Sequence, residues 1–534
     1  MYDAGSMTAS PAPRSGGLPP RRPTLALGLA GALWTLPLWL VRYLPMVDYP
    51  QQLAAAAVLR FYGEAARALE ETYRIALWRP QGLFETVAAG LAYLMPIEAA
   101  GKAVLSLCLL AVPLAAAALC RRTERPAWYA LLALAVTYNE AFFWGFADNL
   151  LAYPLVLFGA ALADRRFDRP FGGRSWASLA AVGLLFYAVH LEFLLVYAGV
   201  VGWLALVRRP GARLLALQVS TVLPGLALGI GSLGWAHLHA EAAMTGYQQR
   251  LSEGPAAFAP LAVRLANLPT NLFSGAADGA AYPLAALLLA IVLVLGLPRS
   301  PAAGPAAGGD GGALYRTRFL SLAGWLALLY LVLPNYTRGY LVSDRLLPLA
   351  AMFLVPALPR LPAGSPRLRL AALLLAGLLA GQLLRTATGF LRFAAETDGL
   401  AELLDSTEPG KSLAGLIYES GGEKAVYGWD IPPFLIHTPA YYQVARGGRV
   451  HFTFAQFYNS PVAYRPGKNE DDPLLAEWDE WNPQSFDYER HGAHYRYYLV
   501  RGGPERLAAA FGPHLAEMKV KRAGRWFLVE CPLR

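Results

Sequence analysis

Long apolar runs divided by arginine clusters constrain this chain more than any other feature of it. A membrane-crossing helix needs roughly 20 apolar residues. Runs of that kind recur near 24–45, 98–120, 127–145, 148–164, 177–190, 191–207, 214–236, 281–297, 319–334, 345–359 and 369–388. Of the 534 residues, 56% are apolar and 16% charged, where a soluble protein carries about 25% charged residues. The pattern predicts an α-helical polytopic membrane protein of about 11 spans.

The net charge of +9 would suggest a nucleic-acid partner in a soluble chain. Here the cations sit between apolar runs, in "RRTER" (121–125), "RRFDRPFGGR" (165–174), "RRPGAR" (208–213), "YRTR" (315–318) and "PRLR" (366–369). That is the pattern of cytoplasmic loops facing anionic membrane lipid, not nucleic acid. For these clusters to share one side, the chain must cross out and back between 174 and 208, with its turn at "AVHLEF". The N-terminus then lies in the cytoplasm and the C-terminus outside, in the inner (plasma) membrane. Residues 1–23 read as a disordered tail rich in Pro, Gly and Ser. The apolar run after them is too long for a signal peptide and lacks a small-residue cleavage site. Residues 298–316 read as a flexible linker. Cys108, Cys120 and Cys531 show no paired spacing, so neither a disulfide framework nor a zinc site is expected.

Within the transmembrane region, 24–390, the external loop 47–97 holds "PQQLAAAAVLRFYGEAARALEE". This reads as an amphipathic helix on the membrane surface, and "GLFETVAAGLAYLMP" as a second interfacial or re-entrant helix. From 391 to 534 charges and aromatics rise and nothing could span. "LAELLDS" and "PERLAAAFGPHL" read as helices, "SLAGLIYES" and "YRYYLVRG" as strands, and "EMKVKR" with "RWFLVEC" as a hairpin. A small external, periplasmic α/β domain is expected.

Ionisable residues gather at the outer ends of the spans. They are Asp48, Glu140 and Asp148, His190 and Glu192, His237, His239 and Glu241, and Arg338, Asp344 and Arg345. Charges at membrane depth are costly and usually functional. Structural roles stand beside this for each: Asp48 as a helix N-cap, His190 as a hydrogen-bonded interior histidine, the arginines as interface anchors. On a helix His237 and His239 would point apart, so no metal site is assigned to them.

"VDYPQQLAAAAVL", "YNEAFFWGFADNLLAYPL", "AVHLEFLL" and "DRLLPLAAMFLVPAL" together resemble the GT-C type membrane glycosyltransferases, and more narrowly a bacterial group of them. That family takes sugars from polyprenyl-phosphate carriers, and Asp48 matches the position of its first-loop acid. The resemblance implies a GT-C-like fold, with Asp48, His190 and Glu192 catalytic. The polar residues at the span ends supply a candidate substrate-binding set of Glu140, Asp148, Arg338, Arg345, His237 and His239, and the resemblance implies Arg345 on the carrier phosphate. It implies a polyprenyl-phosphate-linked sugar donor and an acceptor that is a lipid, a glycan or a protein. Tyr49 follows Asp48 where the family usually has a second acid, and Leu346 replaces its usual aromatic. No cofactor is required, and a divalent metal stays open. The physics is consistent. A guanidinium binds phosphate oxygens through paired hydrogen bonds, and an acceptor hydroxyl gains from a placed carboxylate base. A transporter or flippase, and a non-catalytic relative acting as a scaffold, are the alternatives.

Overall fold

The computed structural model describes residues 21–238, 256–274, 279–296, 311–337, 340–420, 433–468, 478 and 480–532. Among the described residues three helices are long and apolar enough to cross a membrane: Ile97–Arg122, Ala212–Ala236 and Pro366–Glu396. Shorter apolar helices at Leu25–Leu40, Gly173–Val189, Leu191–Leu206, Ala281–Leu295 and Arg318–Val332 accompany them. Leucines along Pro366–Glu396, such as Leu373 and Leu384, point outward, as does Ile230. Outward apolar faces on helices of this length are those of a membrane protein.

Local chemistry sets the helix limits. Pro366–Glu396 starts with proline in its first turn, and Ser365 Oγ accepts from Leu368 N at 3.3 Å. Ile97–Arg122 ends on two arginines, where cations complement the helix dipole. Gly173–Val189 and Leu191–Leu206 are separate helices broken at His190, whose backbone is extended.

Five expectations need correction. The run 127–145 is not one helix but three short pieces, Ala127–Ala130, Leu131–Ala135 and Glu140–Phe143. Asn139 interrupts it, with Nδ2 donating to Val136 O at 2.9 Å and Oδ1 accepting from Phe142 N at 3.0 Å. Short polar side chains compete with the helix for backbone groups in this way. The run 345–359 is likewise a short helix, Leu346–Leu354, with a 3-10 turn at each end. The helix Tyr49–Phe61 does not lie on a surface, because Tyr49 through Val58 are all buried. Finally, helix Gly311–Arg316 occupies part of the expected linker. The first helix begins at Arg21, inside the expected tail. Residues 1–20 and 298–310 lie outside the described residues.

The chain forms nine described strands: β1 (Tyr73–Ile75), β2 (Tyr336–Thr337), β3 (Tyr340–Leu341), β4 (Ser412–Ile417), β5 (Arg449–Val450), β6 (Val462–Tyr464), β7 (Tyr497–Arg501), β8 (Lys519–Ala523) and β9 (Trp526–Glu530). Five make one sheet in the order β5-β4-β7-β9-β8, with β4 parallel to β5 and β7, and β9 antiparallel to β7 and β8. Alternation sorts its side chains into two cores. Leu413, Ile417, Leu499 and Leu528 join the core of the helical body, while Ala414, Leu416, Val500 and Val529 pack with Leu507 and Phe511. The helices expected at "LAELLDS" and "PERLAAAFGPHL" are Leu400–Asp405 and Pro504–Phe511.

The C-terminal region is stitched to the first loop. β1 pairs antiparallel with β6. Gln51 Nε2 donates to Phe452 O at 3.0 Å, and Gln51 Oε1 accepts from Phe454 N at 3.3 Å. Helix Ala440–Arg446 packs on Tyr49–Phe61, as do Leu83–Leu91 and Ile97–Arg122, and together they bury it.

At one end of the helical body the arginine clusters converge. Asp164, fully buried, receives Arg122 Nε at 2.8 Å, Arg208 Nη2 at 2.8 Å and Arg318 Nε at 2.7 Å. Asp168 pairs with Arg122 and Arg208 and accepts from the Tyr315 hydroxyl. Arg125 bonds the Leu358 carbonyl beside them.

Candidate functional site

Helix Ala147–Phe167 carries Asp164 near one end and Asp148 near the other. Sixteen residues at about 1.5 Å each put them roughly 24 Å apart. Asp148 lines a cavity of about 730 Å³. Five of the residues expected at a site meet there, Asp48, Asp148, His190, Glu192 and Arg345, from four different parts of the chain.

Asp48 precedes helix Tyr49–Phe61, yet its carboxylate makes no capping hydrogen bond. Its backbone is pinned instead, with N donating to Trp144 O at 3.0 Å. The approach depends on Gly145, which has φ +82 and whose missing Cβ would stand 2.6 Å from Asp48 N. The carboxylate, still partly exposed, turns to His437, with Nδ1 3.3 Å from Oδ1.

Arg345 ends the 3-10 turn Ser343–Arg345 and is buried. Its backbone carbonyl accepts from the Tyr153 hydroxyl at 3.1 Å. Its neighbour Asp344 is held by Asn271 Nδ2 at 3.1 Å. The guanidinium lies over the Phe146 ring at 4.2 Å, and Nη1 reaches His190 Nε2 at 3.0 Å and Glu192 Oε2 at 3.3 Å. A guanidinium can only donate, so His190 Nε2 accepts and the ring is neutral with its proton on Nδ1. That Nδ1 and Arg345 Nε are buried with no hydrogen-bond partner among the described residues. Such groups are costly unless a ligand meets them.

Glu140 is not part of the lining; it lies beside Asp344 and Trp144. The side chain of His237 lies outside the description, as do His239 and Arg338 altogether.

Several lining residues escaped the sequence reading. Glu85 projects from Leu83–Leu91 near Asp148, and burial pushes its carboxyl up to about 8. Its Oε2 and both side-chain polar atoms of Asn149 are buried and unpartnered among the described residues. A lone acid in "LFETVAAGL" was the available signal. The C-terminal region adds His437, Glu480 and an aromatic wall including Phe452, Phe454 and Phe457. Asn459 Nδ2 bonds Gln81 Oε1 at 2.5 Å and closes one side. Among the described residues no group of three or more His, Cys, Asp or Glu is arranged to hold a metal ion.

The arrangement sets a buried cation and two ring or amide donors at one side of a hollow, and a partly exposed carboxylate at another. It can hold an anionic group and accept a proton nearby. No family model matches the sequence, and no curated protein matches it. Among solved structures the chain is similar to ArnT from Cupriavidus metallidurans bound to undecaprenyl phosphate. Identity is 12%, the TM-score 0.53, and the match covers 95% of this chain and 97% of that one. The apo state of the same protein gives 11%, a TM-score of 0.52, and coverage of 95% and 98%. At such identities the likeness is one of fold, and it agrees with the fold that the sequence resemblance implied.

Proposed function

We propose that this chain is an integral membrane glycosyltransferase that moves a sugar from a polyprenyl-phosphate carrier to an acceptor on the outer face of the membrane. One observation carries the reading: Asp48 and the Arg345–His190–Glu192 group line the same cavity. The solved structure with the same fold holds undecaprenyl phosphate, which supports a carrier of that class here.

In this reading Arg345 takes the carrier phosphate, and His190 holds the guanidinium in place. The acceptor oxygen attacks the anomeric carbon, the carbon–oxygen bond to the phosphate breaks, and Asp48 takes the hydroxyl proton. The displacement is single and inverting, and the carrier leaves as polyprenyl phosphate. Asp148 and Glu85 face the sugar. In this reading the arginine knot around Asp164 faces the cytoplasm, as the positive-inside rule favours, and the cavity and residues 391–534 lie outside. A transporter would gather such groups nearer the midplane on broken helices.

The test is turnover of undecaprenyl-phosphate-linked pentoses and hexoses by purified protein. Asp48→Asn removes the proton acceptor while keeping size, and should lower the rate about 10²- to 10⁴-fold with an unchanged unfolding midpoint. Arg345→Ala should weaken undecaprenyl phosphate binding by about 1.5–3 kcal/mol, roughly tenfold to a hundredfold. Full activity of the Asn variant, or undiminished binding by the Ala variant, would remove the basis of the reading.

A further inference from the structure

Asp48 has a fixed backbone, yet nothing on its own helix fixes its carboxylate. The group that faces it comes from the C-terminal region. His437 is buried, with Nδ1 3.3 Å from Asp48 Oδ1 and Nε2 3.9 Å from Glu480 Oε1. These are ion-pair contacts in a slack geometry, not short hydrogen bonds. The ring is oriented by packing, stacked on Phe452 at 5.1 Å and 17° and edge-on to Phe454 at 5.7 Å. Phe452 and Phe454 flank the backbone to which Gln51 bonds, so imidazole and Asp48 belong to one rigid junction.

We propose that His437 is a positioning residue: held between Asp48 and Glu480, it aims the Asp48 carboxylate into the cavity, and the site is complete only when the C-terminal region is docked. This rests on Asp48 being the proton acceptor. A carboxylate base must be ionised and oriented before the acceptor arrives, and a buried imidazolium supplies both conditions. Burial opposes the imidazolium, but contact with Asp48 and Glu480 carries its pKa up to about 9. His451, behind His437 across a small hollow shared with Gln51, adds no opposing charge. Burial drives its pKa down to about 3, and its ring stacks on Trp478 at 3.8 Å.

Two measurements on the full-length protein in detergent test this. The first is histidine-selective ¹⁵N NMR. His437 should stay protonated to about pH 9, and Asp48→Asn and Glu480→Gln should each lower its midpoint. A midpoint unmoved by Asp48→Asn overturns the proposal. The second is turnover of an undecaprenyl-phosphate-linked sugar. His437→Phe preserves the ring stack and should fold, yet lose about 10- to 100-fold in kcat with KM little changed. His437→Gln keeps a donor and should recover part of the loss, without the alkaline fall near pH 9. Full kcat in His437→Phe overturns the positioning role. If the wild type turns over no such donor, the glycosyltransferase reading fails by itself, and the NMR titration alone judges the pair.

Discussion

The two ends of helix Ala147–Phe167 treat a buried acid in opposite ways. At one end Asp164 meets three guanidiniums, and each carboxylate oxygen has a partner under 3 Å away. At the other end Asp148 Oδ1 is buried without a hydrogen-bond partner among the described residues, and Glu85 nearby is in the same position. The helix and the residue type are the same, so the difference lies in what surrounds them. A satisfied charge holds loops together, whereas an unsatisfied buried carboxyl is retained at a cost to stability and marks where a ligand goes.

The largest effect that would break the contrast is at the knot. Asp164→Ala leaves Arg318 buried without its counter-ion and Arg208 with Asp168 alone, and should destabilise the protein by about 3–5 kcal/mol. The thermal midpoint in detergent should fall, while undecaprenyl phosphate binding by the folded fraction is kept. Loss of binding at native stability would show that the knot is not merely structural. Next comes Asp148→Asn, which removes a repulsion with Glu85 and should raise stability by about 1 kcal/mol while lowering turnover. A destabilised Asn variant would mean that Asp148 has a structural partner after all. Smallest is Arg360→Ala. Its pair with Glu124, at 3.4 Å, lies near the knot but is mostly exposed. Its removal should change stability by less than about 0.5 kcal/mol, and a larger change would extend the knot's influence to the surface.

The helical body was legible because lipid and backbone hydrogen bonding leave long apolar helices few alternatives. The turn at His190 could be placed because two arginine clusters had to share a side. The strands and helices of the C-terminal region were legible through alternation and turn residues. Asp48, His190, Glu192 and Arg345 stood out as charges at the ends of apolar runs. His437 did not, since it sits in the loop "PPFLIHTPA", and a loop histidine announces nothing until its neighbours are known. Glu85 did not stand out for the same reason, being a single acid within an apolar stretch of the first loop. What covers the first loop lies far along the chain, and no local pattern records a contact of that range. The broken segment 127–145 kept its apolar composition, so hydropathy could not see the competition set up by Asn139.

The contact between Gln51 and the backbone of Phe452 joins residues 401 positions apart. At a synthesis rate of about 5–20 residues per second, the first loop waits roughly 20–80 s before its cover exists. During that interval only the near neighbours Leu83–Leu91 and Ile97–Arg122 can cover helix Tyr49–Phe61, and the membrane surface is an apolar phase for the face left open. The surface-seeking character written into "PQQLAAAAVL" therefore suits the nascent chain. A ribosome stalled before β6 would leave a molecule with every long apolar helix made and no finished cavity.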